Sequence, residues 1–166
     1  MIIETDGTKY ENIRSLNQEL TFSYAKEEFK KRGLFFEEVQ QRSLGIIGED
    51  NLYTNLGLLL SDQCQHIIKV AVFEGIDKEI FKTRKEFGGS VLKQLSDAYE
   101  FINLNNNVNS SYEGLLRIDS YDYDKLVIRE ALLNAIIHRE YSFSGSILVN
   151  IYTDRIEFIS LGGLPT

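Results

Sequence analysis

Between Leu126 and Arg139 the sequence is a helical run that is apolar on nearly every side and carries one polar ridge. Glu130, Asn134 and His138 recur every four residues, so on a helix they stack along one face with about 5–6 Å between neighbours. Leu126, Val127, Ile128, Ala131, Leu132, Leu133, Ala135, Ile136 and Ile137 take up most of the remaining circumference. A helix that is apolar all round is ordinarily enclosed by its own protein, so the sequence predicts a buried helix over about Tyr123 to Arg139. An enclosed carboxylate and amide need partners, because an unpaired buried polar group costs about 1–3 kcal/mol. Those partners come either from the protein or from a bound ligand and metal. The competing reading is an amphipathic helix whose polar stripe faces solvent.

The chain around this helix has 166 residues, of which 43% are hydrophobic. That suffices for one ordinary domain or two small ones. No run of about 18 apolar residues occurs, so no membrane span is expected. The start, Met1-Ile2-Ile3-Glu4-Thr5-Asp6, lacks the basic opening and long apolar stretch of a signal peptide. Cys64 is the only cysteine, which rules out an internal disulfide and a cysteine-rich zinc site. Together these point to the cytoplasm. The net charge of −7 argues against a broad electrostatic grip on nucleic acid, which depends on clustered Lys and Arg.

Local signals organise the rest. A helix is expected from Thr21, as N-cap, to Lys31, stopping at Gly33, and another from Phe36 to Leu44 before Gly45. Ile46 to Tyr53 reads as a small hairpin or wing, and Thr54 as the cap of a short helix over Asn55 to Leu60. Ile67 to Phe73 is a candidate buried strand. Glu79 to Phe87 is its neighbour, with Phe81 pointing inward. Ser90 opens a helix with Val91, Leu95, Ala98, Tyr99 and Ile102 on one face. Asn103 to Ser111 holds five asparagines and is the best linker candidate. A strand at Gly114 to Ile118 should precede the ridge helix. Strands at Ile147 to Tyr152 and Arg155 to Ser160, turning at Thr153-Asp154, should follow it. One helix and two or three strands make little sheet for an independent core, so the chain is expected to be a fragment cut inside its second unit.

The chemistry available to the ridge is specific. Glu130 can orient and deprotonate a water molecule. Asn134 can offer its carbonyl oxygen to Mg²⁺, which takes oxygen ligands, keeps several waters and commonly uses one or two protein groups beside phosphates. Arg139 can meet a phosphate, or simply complement the helix dipole. Gly162-Gly163 follows a strand, where glycines let backbone approach a ligand. No P-loop spacing is present. Lys26, Lys30, Lys31 and Arg32 form one basic cluster, interrupted by Glu27 and Glu28, and read as a solvated helix face. Cys64 and His66 are too few for a metal site. Asp119, Asp122 and Asp124 read as charge favouring a helix N-terminus.

Two stretches carry a resemblance. One is Arg129 to Thr166, opening Arg-Glu-Ala-Leu-Leu-Asn-Ala-Ile-Ile-His-Arg and closing on Gly-Gly-Leu-Pro-Thr. The other is Thr54 to Ile102, with Thr-Asn-Leu-Gly-Leu-Leu-Leu and Phe-Glu-Gly. Together they resemble a bacterial family of transcriptional regulators related by label to the RecG helicase. In that family an AlbA-type (Schlafen-like) module precedes a GHKL-type ATPase-like module, and a winged-helix DNA-binding domain often follows. The resemblance implies an α+β fold. Residues 1–105 would be the later portion of the AlbA-type module, and 112–166 the truncated N-terminal part of a GHKL-like α/β sandwich.

It also implies ATP and Mg²⁺ as cofactors, with Glu130 as catalytic base and Asn134 as the Mg²⁺ ligand. His138, Arg139, Gly162 and Gly163 would lie at the nucleotide. DNA and a homodimer are the implied partners, with no membrane. The general ATPase pattern places an aspartate just before the glycines; this chain has Ser160-Leu161 there, so adenine specificity does not carry over. The ATP lid is not in the sequence, so the fragment alone is expected to be inactive. The alternatives are a non-hydrolysing dimerisation module and a nucleic-acid processing enzyme built on Asp119, Asp122 and Asp124.

Overall fold

The computed structural model describes residues 9–76, 78, 80–106, 123–137 and 146–159, together with the backbone of 108–113, 116–121 and 160. The fold is α+β. Two compact units divide it: one is formed by residues up to Ile67 with Gly88–Gln94, the other by Ile68–Phe87 with the residues from Leu95 onward.

The first unit is helical. A single 3₁₀ turn at Tyr10–Asn12 precedes α1 (Ser23–Lys31), α2 (Glu38–Leu44) and α3 (Asn55–Leu60). Phe22, Ala25, Phe36 and Ile46 form its buried core, with Leu20, Phe29, Tyr53, Leu60 and Leu92 packed around them. Thr21 does not cap α1 as expected. The cap is Asp62, whose carboxylate accepts the N–H of Ser23 at 2.8 Å and the hydroxyl of Thr21 at 2.7 Å. An N-cap needs only an acceptor in place, and here tertiary structure delivers it. Gly45 ends α2 in the left-handed region, at φ +88°, a conformation that costs a side chain dearly. Thr54 caps α3 as expected, accepting from the Gly57 N–H at 3.4 Å. The expected wing is a tight turn closed by one bridge, Ile47 to Tyr53, with the Gly48 N–H donating to the Leu52 carbonyl at 2.9 Å.

The second unit is built on β1 (Ile68–Glu74), β2 (Ile80–Phe87), β5 (Ile147–Ile151) and β6 (Ile156–Ser160), in the order β2-β1-β5-β6. β1 and β5 run parallel, and the two outer pairs are antiparallel. The register sets Ile68 beside Ile147, Val70 beside Val149 and Val72 beside Ile151. All six are buried, giving one apolar face with the period of two that a pleated strand imposes. α4 (Val91–Leu104) begins in the first unit and continues in the second. Its stripe of Gln94, Ala98 and Ile102 is buried, one residue round from part of the face expected. β3 (Val108–Glu113) and β4 (Leu116–Tyr121) form a separate hairpin, and α5 (Lys125–Ile137) lies against β6.

Three expectations need correction here. Phe81 is 54% exposed: β2 is an edge strand of this sheet and, apart from Phe87, is open on both faces. The asparagine-rich stretch is not a bare linker. α4 runs to Leu104 and β3 starts at Val108, and between them buried Asn106 is bonded in both directions to the backbone of Tyr123, at 2.7 and 3.1 Å. Finally, the sheet joins β1 to β5, so strands from both sides of the expected division at 105–112 share one hydrogen-bonded ladder.

Candidate functional site

α5 is held by a single stripe. Ile128, Leu132 and Ile136, spaced four apart, are 2%, 0% and 8% exposed. Glu130 and Asn134 lie about half a turn round the helix from that stripe, and both are exposed. Leu126, Val127 and Ile137 share their face and are 62%, 62% and 65% exposed. The expectation of a helix enclosed on all sides is therefore corrected: the helix follows the competing reading, with Glu130 and Asn134 on a face turned to solvent. One aliphatic stripe suffices to dock α5; Ala131, Leu133 and Ala135 are half-buried, and Leu126, Val127 and Ile137 stand exposed. An exposed aliphatic group of this size around polar side chains marks an interaction or ligand face more often than bare surface.

Local chemistry fixes where α5 begins. The Asp124 carboxylate accepts the N–H of Leu126 at 2.7 Å, and its carbonyl accepts the N–H of Ile128 at 3.1 Å. Asp124 thus fills the helix-starting role expected of it. The side chains of Asp119 and Asp122 lie outside the described residues, as do His138, Arg139, Gly162 and Gly163. Of the six expected site residues, Glu130 and Asn134 are the ones the structure places, and it places them side by side on one helix face.

A second feature was not anticipated. Where parallel β1 and β5 both end, a hollow of about 190 Å³ is lined by Phe73, Glu74, Lys82, Asn105, Tyr152 and Thr153, among others. Gly75 and Thr153 fasten the two strand ends together: the Gly75 N–H donates to Thr153 Oγ1, and the Thr153 N–H to the Gly75 carbonyl, each at 2.9 Å. Phe73 stacks on Tyr152 with ring centroids 5.2 Å apart, and the Arg155 guanidinium sits 4.0 Å over the Tyr152 ring. Arg155 also donates to Glu157 at 2.9 Å, and that bond holds the Glu157 carboxyl below the usual range against the opposing effect of burial. Ligands in open α/β sheets bind at the carboxyl ends of parallel strands, so the position is chemically suggestive. Its only legible sign in the sequence was the pair of turns at Gly75 and Thr153, since nothing there shows that β1 and β5 are neighbours.

Cys64 and His66 are buried in the first unit and tied to Gln94. Its Nε2 donates to the His66 carbonyl at 2.6 Å and to the Gly89 carbonyl at 2.7 Å, and lies 3.8 Å from the Cys64 sulfur. Tyr10 packs edge-on to the His66 ring at 6.4 Å. Burial, helped by the nearby Cys64, pushes the Tyr10 hydroxyl above its ordinary value. This is a packed polar knot that joins the start of α4 to the end of the helical segment.

No family model and no curated protein matches the chain. Among solved structures, that of the DIP2311 protein from Corynebacterium diphtheriae is similar. The two are 24% identical with a TM-score of 0.76, and the likeness covers 96% of this chain and 34% of that one. At that identity it speaks for the fold. The chain spans about a third of the length of that structure. No helix among the described residues is long and apolar enough to cross a membrane.

Proposed function

We propose that this chain is part of a cytoplasmic bacterial regulator that couples nucleotide binding to action on DNA, with ATP and Mg²⁺ held over the outer face of α5. One observation carries the reading: Glu130 and Asn134 stand one turn apart on an exposed face flanked by Leu126, Val127 and Ile137. The donor set fits the ion. The amide oxygen of Asn134 is a hard ligand, and Mg²⁺ takes one or two such protein groups and fills its remaining positions with waters and phosphate oxygens. When bound, Mg²⁺ supplies neutralisation of phosphate charge.

The chain's own residues do the rest. Asn134 would hold the ion through its Oδ1. Glu130 orients a water molecule and takes its proton at the carboxylate. His138, Arg139, Gly162 and Gly163 enter through the family resemblance, and so do DNA and the homodimer. Calorimetry of the intact protein with Mg·ATP tests this. Asn134→Ala is expected to weaken binding at least tenfold, and unchanged affinity removes the metal-ligand role.

The three exposed aliphatics favour a second reading, in which α5 serves dimerisation without hydrolysis. Phosphate release compared between wild type and Glu130→Ala separates the two. Equal release, with a dimer abolished by Val127→Glu in sedimentation, selects the dimerisation module.

A further inference from the structure

The α5 reading does not use the hollow where β1 and β5 end, and that hollow carries charges of both signs in its lining. β2, β1 and β5 lie side by side in that order. Each brings one polar group to it: Lys82 from β2, Glu74 from the end of β1 and Thr153 from just after β5. Asn105 arrives from just after α4. Val72 and Ile151, each 5% exposed, supply an apolar wall. At about 190 Å³ the space is smaller than the roughly 300–1,000 Å³ that encloses a drug-sized ligand. It suits a molecule of amino-acid size and is too small for a nucleotide.

Lys82 is placed there by a break in the strand ladder. Val72 pairs with Thr83 and Phe73 with Phe81, so Lys82 is the extra residue of a β-bulge, a device that re-aims a side chain and recurs beside binding sites. The side chains of Lys82 and Glu74 have no ion-pair or hydrogen-bond partner among the described residues. Arg155, close by, is spent on Asp154, Glu157 and the Ile76 carbonyl. Asn105 is fixed by its own helix: its Nδ2 donates to the Phe101 carbonyl at 2.9 Å, which leaves Oδ1 as the open end of the amide. Thr153 Oγ1 accepts the Gly75 N–H at 2.9 Å and keeps a second lone pair.

We propose that this hollow binds a free α-amino acid with an aliphatic side chain. An ammonium group has three N–H donors, and the Glu74 carboxylate, Asn105 Oδ1 and Thr153 Oγ1 each offer an acceptor. α4 ends at Leu104, just before Asn105, and the negative end of a helix favours a cation. Lys82 would take the carboxylate, and Val72 and Ile151 would meet the side chain. A lone anion leaves Glu74 unpaired beside it, and a lone cation leaves Lys82 so. The two charges together therefore select a ligand that carries both.

Calorimetry of the intact protein tests this with three probes of one shape: L-leucine, leucinamide (which lacks the carboxylate) and 4-methylpentanoate (which lacks the ammonium group). L-Leucine is expected to bind at least tenfold more tightly than either of the others. Lys82→Gln should weaken L-leucine binding at least tenfold, and Glu74→Gln should do the same. Both positions are exposed, and circular dichroism checks that the variants fold. Absence of L-leucine binding, or either variant binding it like wild type, overturns the proposal. So does 4-methylpentanoate or leucinamide binding as tightly as L-leucine. The first of these assigns the hollow to a carboxylate anion, the second to a cation.

Discussion

Asp62 caps a helix that begins 39 residues before it: its Oδ2 accepts the backbone N–H of Ser23 at 2.8 Å. The same oxygen takes the Thr21 hydroxyl, and Oδ1 faces the N–H of Tyr24 at 3.3 Å. Burial alone raises this carboxyl's pKa. The hydrogen bonds from Thr21, Ser23 and Tyr24 outweigh it, so the net shift is downward. The start of α1 therefore depends on a residue that local sequence does not reveal.

Asp62→Ala should cost about 1 kcal/mol, the usual worth of an N-cap, in a urea titration at pH 7. The pH dependence has a definite sign. The folded pKa lies below the unfolded one, so the contribution is complete above the unfolded value, about 4, and fades as pH falls through the folded value. The gap between wild type and variant should close in acid. A gap that stays constant down to pH 3 would show that the ionised carboxylate is not what stabilises α1.

Gln94 makes a second prediction. It is 1% exposed and its amide satisfies the carbonyls of His66 and Gly89. Gln94→Leu keeps most of the volume and strands both acceptors, so it should cost about 2 kcal/mol, read as a lower denaturation midpoint with unchanged slope. A loss below about 0.5 kcal/mol, the scatter of a neutral change, would mean that other donors reach those carbonyls.

What the sequence showed, and what it hid, divides along the range of the interaction. Thr54 capping α3, Gly45 ending α2 and the turn between β5 and β6 are all set by neighbours within a few residues, and they lie where local rules put them. Asp62 on α1, β1 beside β5, and the hollow at their ends depend on residues far apart in the chain, and no local pattern reports them. Phe81 misled because alternation shows which residues share a face but not whether anything covers it. At the α5 site the spacing of Glu130 and Asn134 was legible. The direction they face was not, because α5 is apolar on several sides and only tertiary packing chooses which side is buried.

Asn106 tests the linker reading directly. Asn106→Ala removes both bonds to the Tyr123 backbone and leaves a buried donor and acceptor without partners, so a loss of about 1–3 kcal/mol is expected. Limited proteolysis should cut the variant faster between α4 and β3. An Asn106 variant as stable and as resistant as wild type would return this stretch to the status of a linker.

The last prediction separates the packing of α5 from its outer face. Leu132 is fully buried, and Leu132→Ala should cost about 2–5 kcal/mol through lost burial and the cavity left behind. Glu130→Ala and Asn134→Ala remove exposed side chains and should stay within about 0.5 kcal/mol. In the intact protein, saturating Mg·ATP adds stability by mass action to any variant that still binds it. Wild type and Leu132→Ala should therefore gain similar increments in melting temperature from different baselines, and Asn134→Ala should gain far less. If Asn134→Ala is instead destabilised as strongly as Leu132→Ala without nucleotide, the amide is a packing residue. If all three gain the same increment, Asn134 takes no part in holding Mg·ATP.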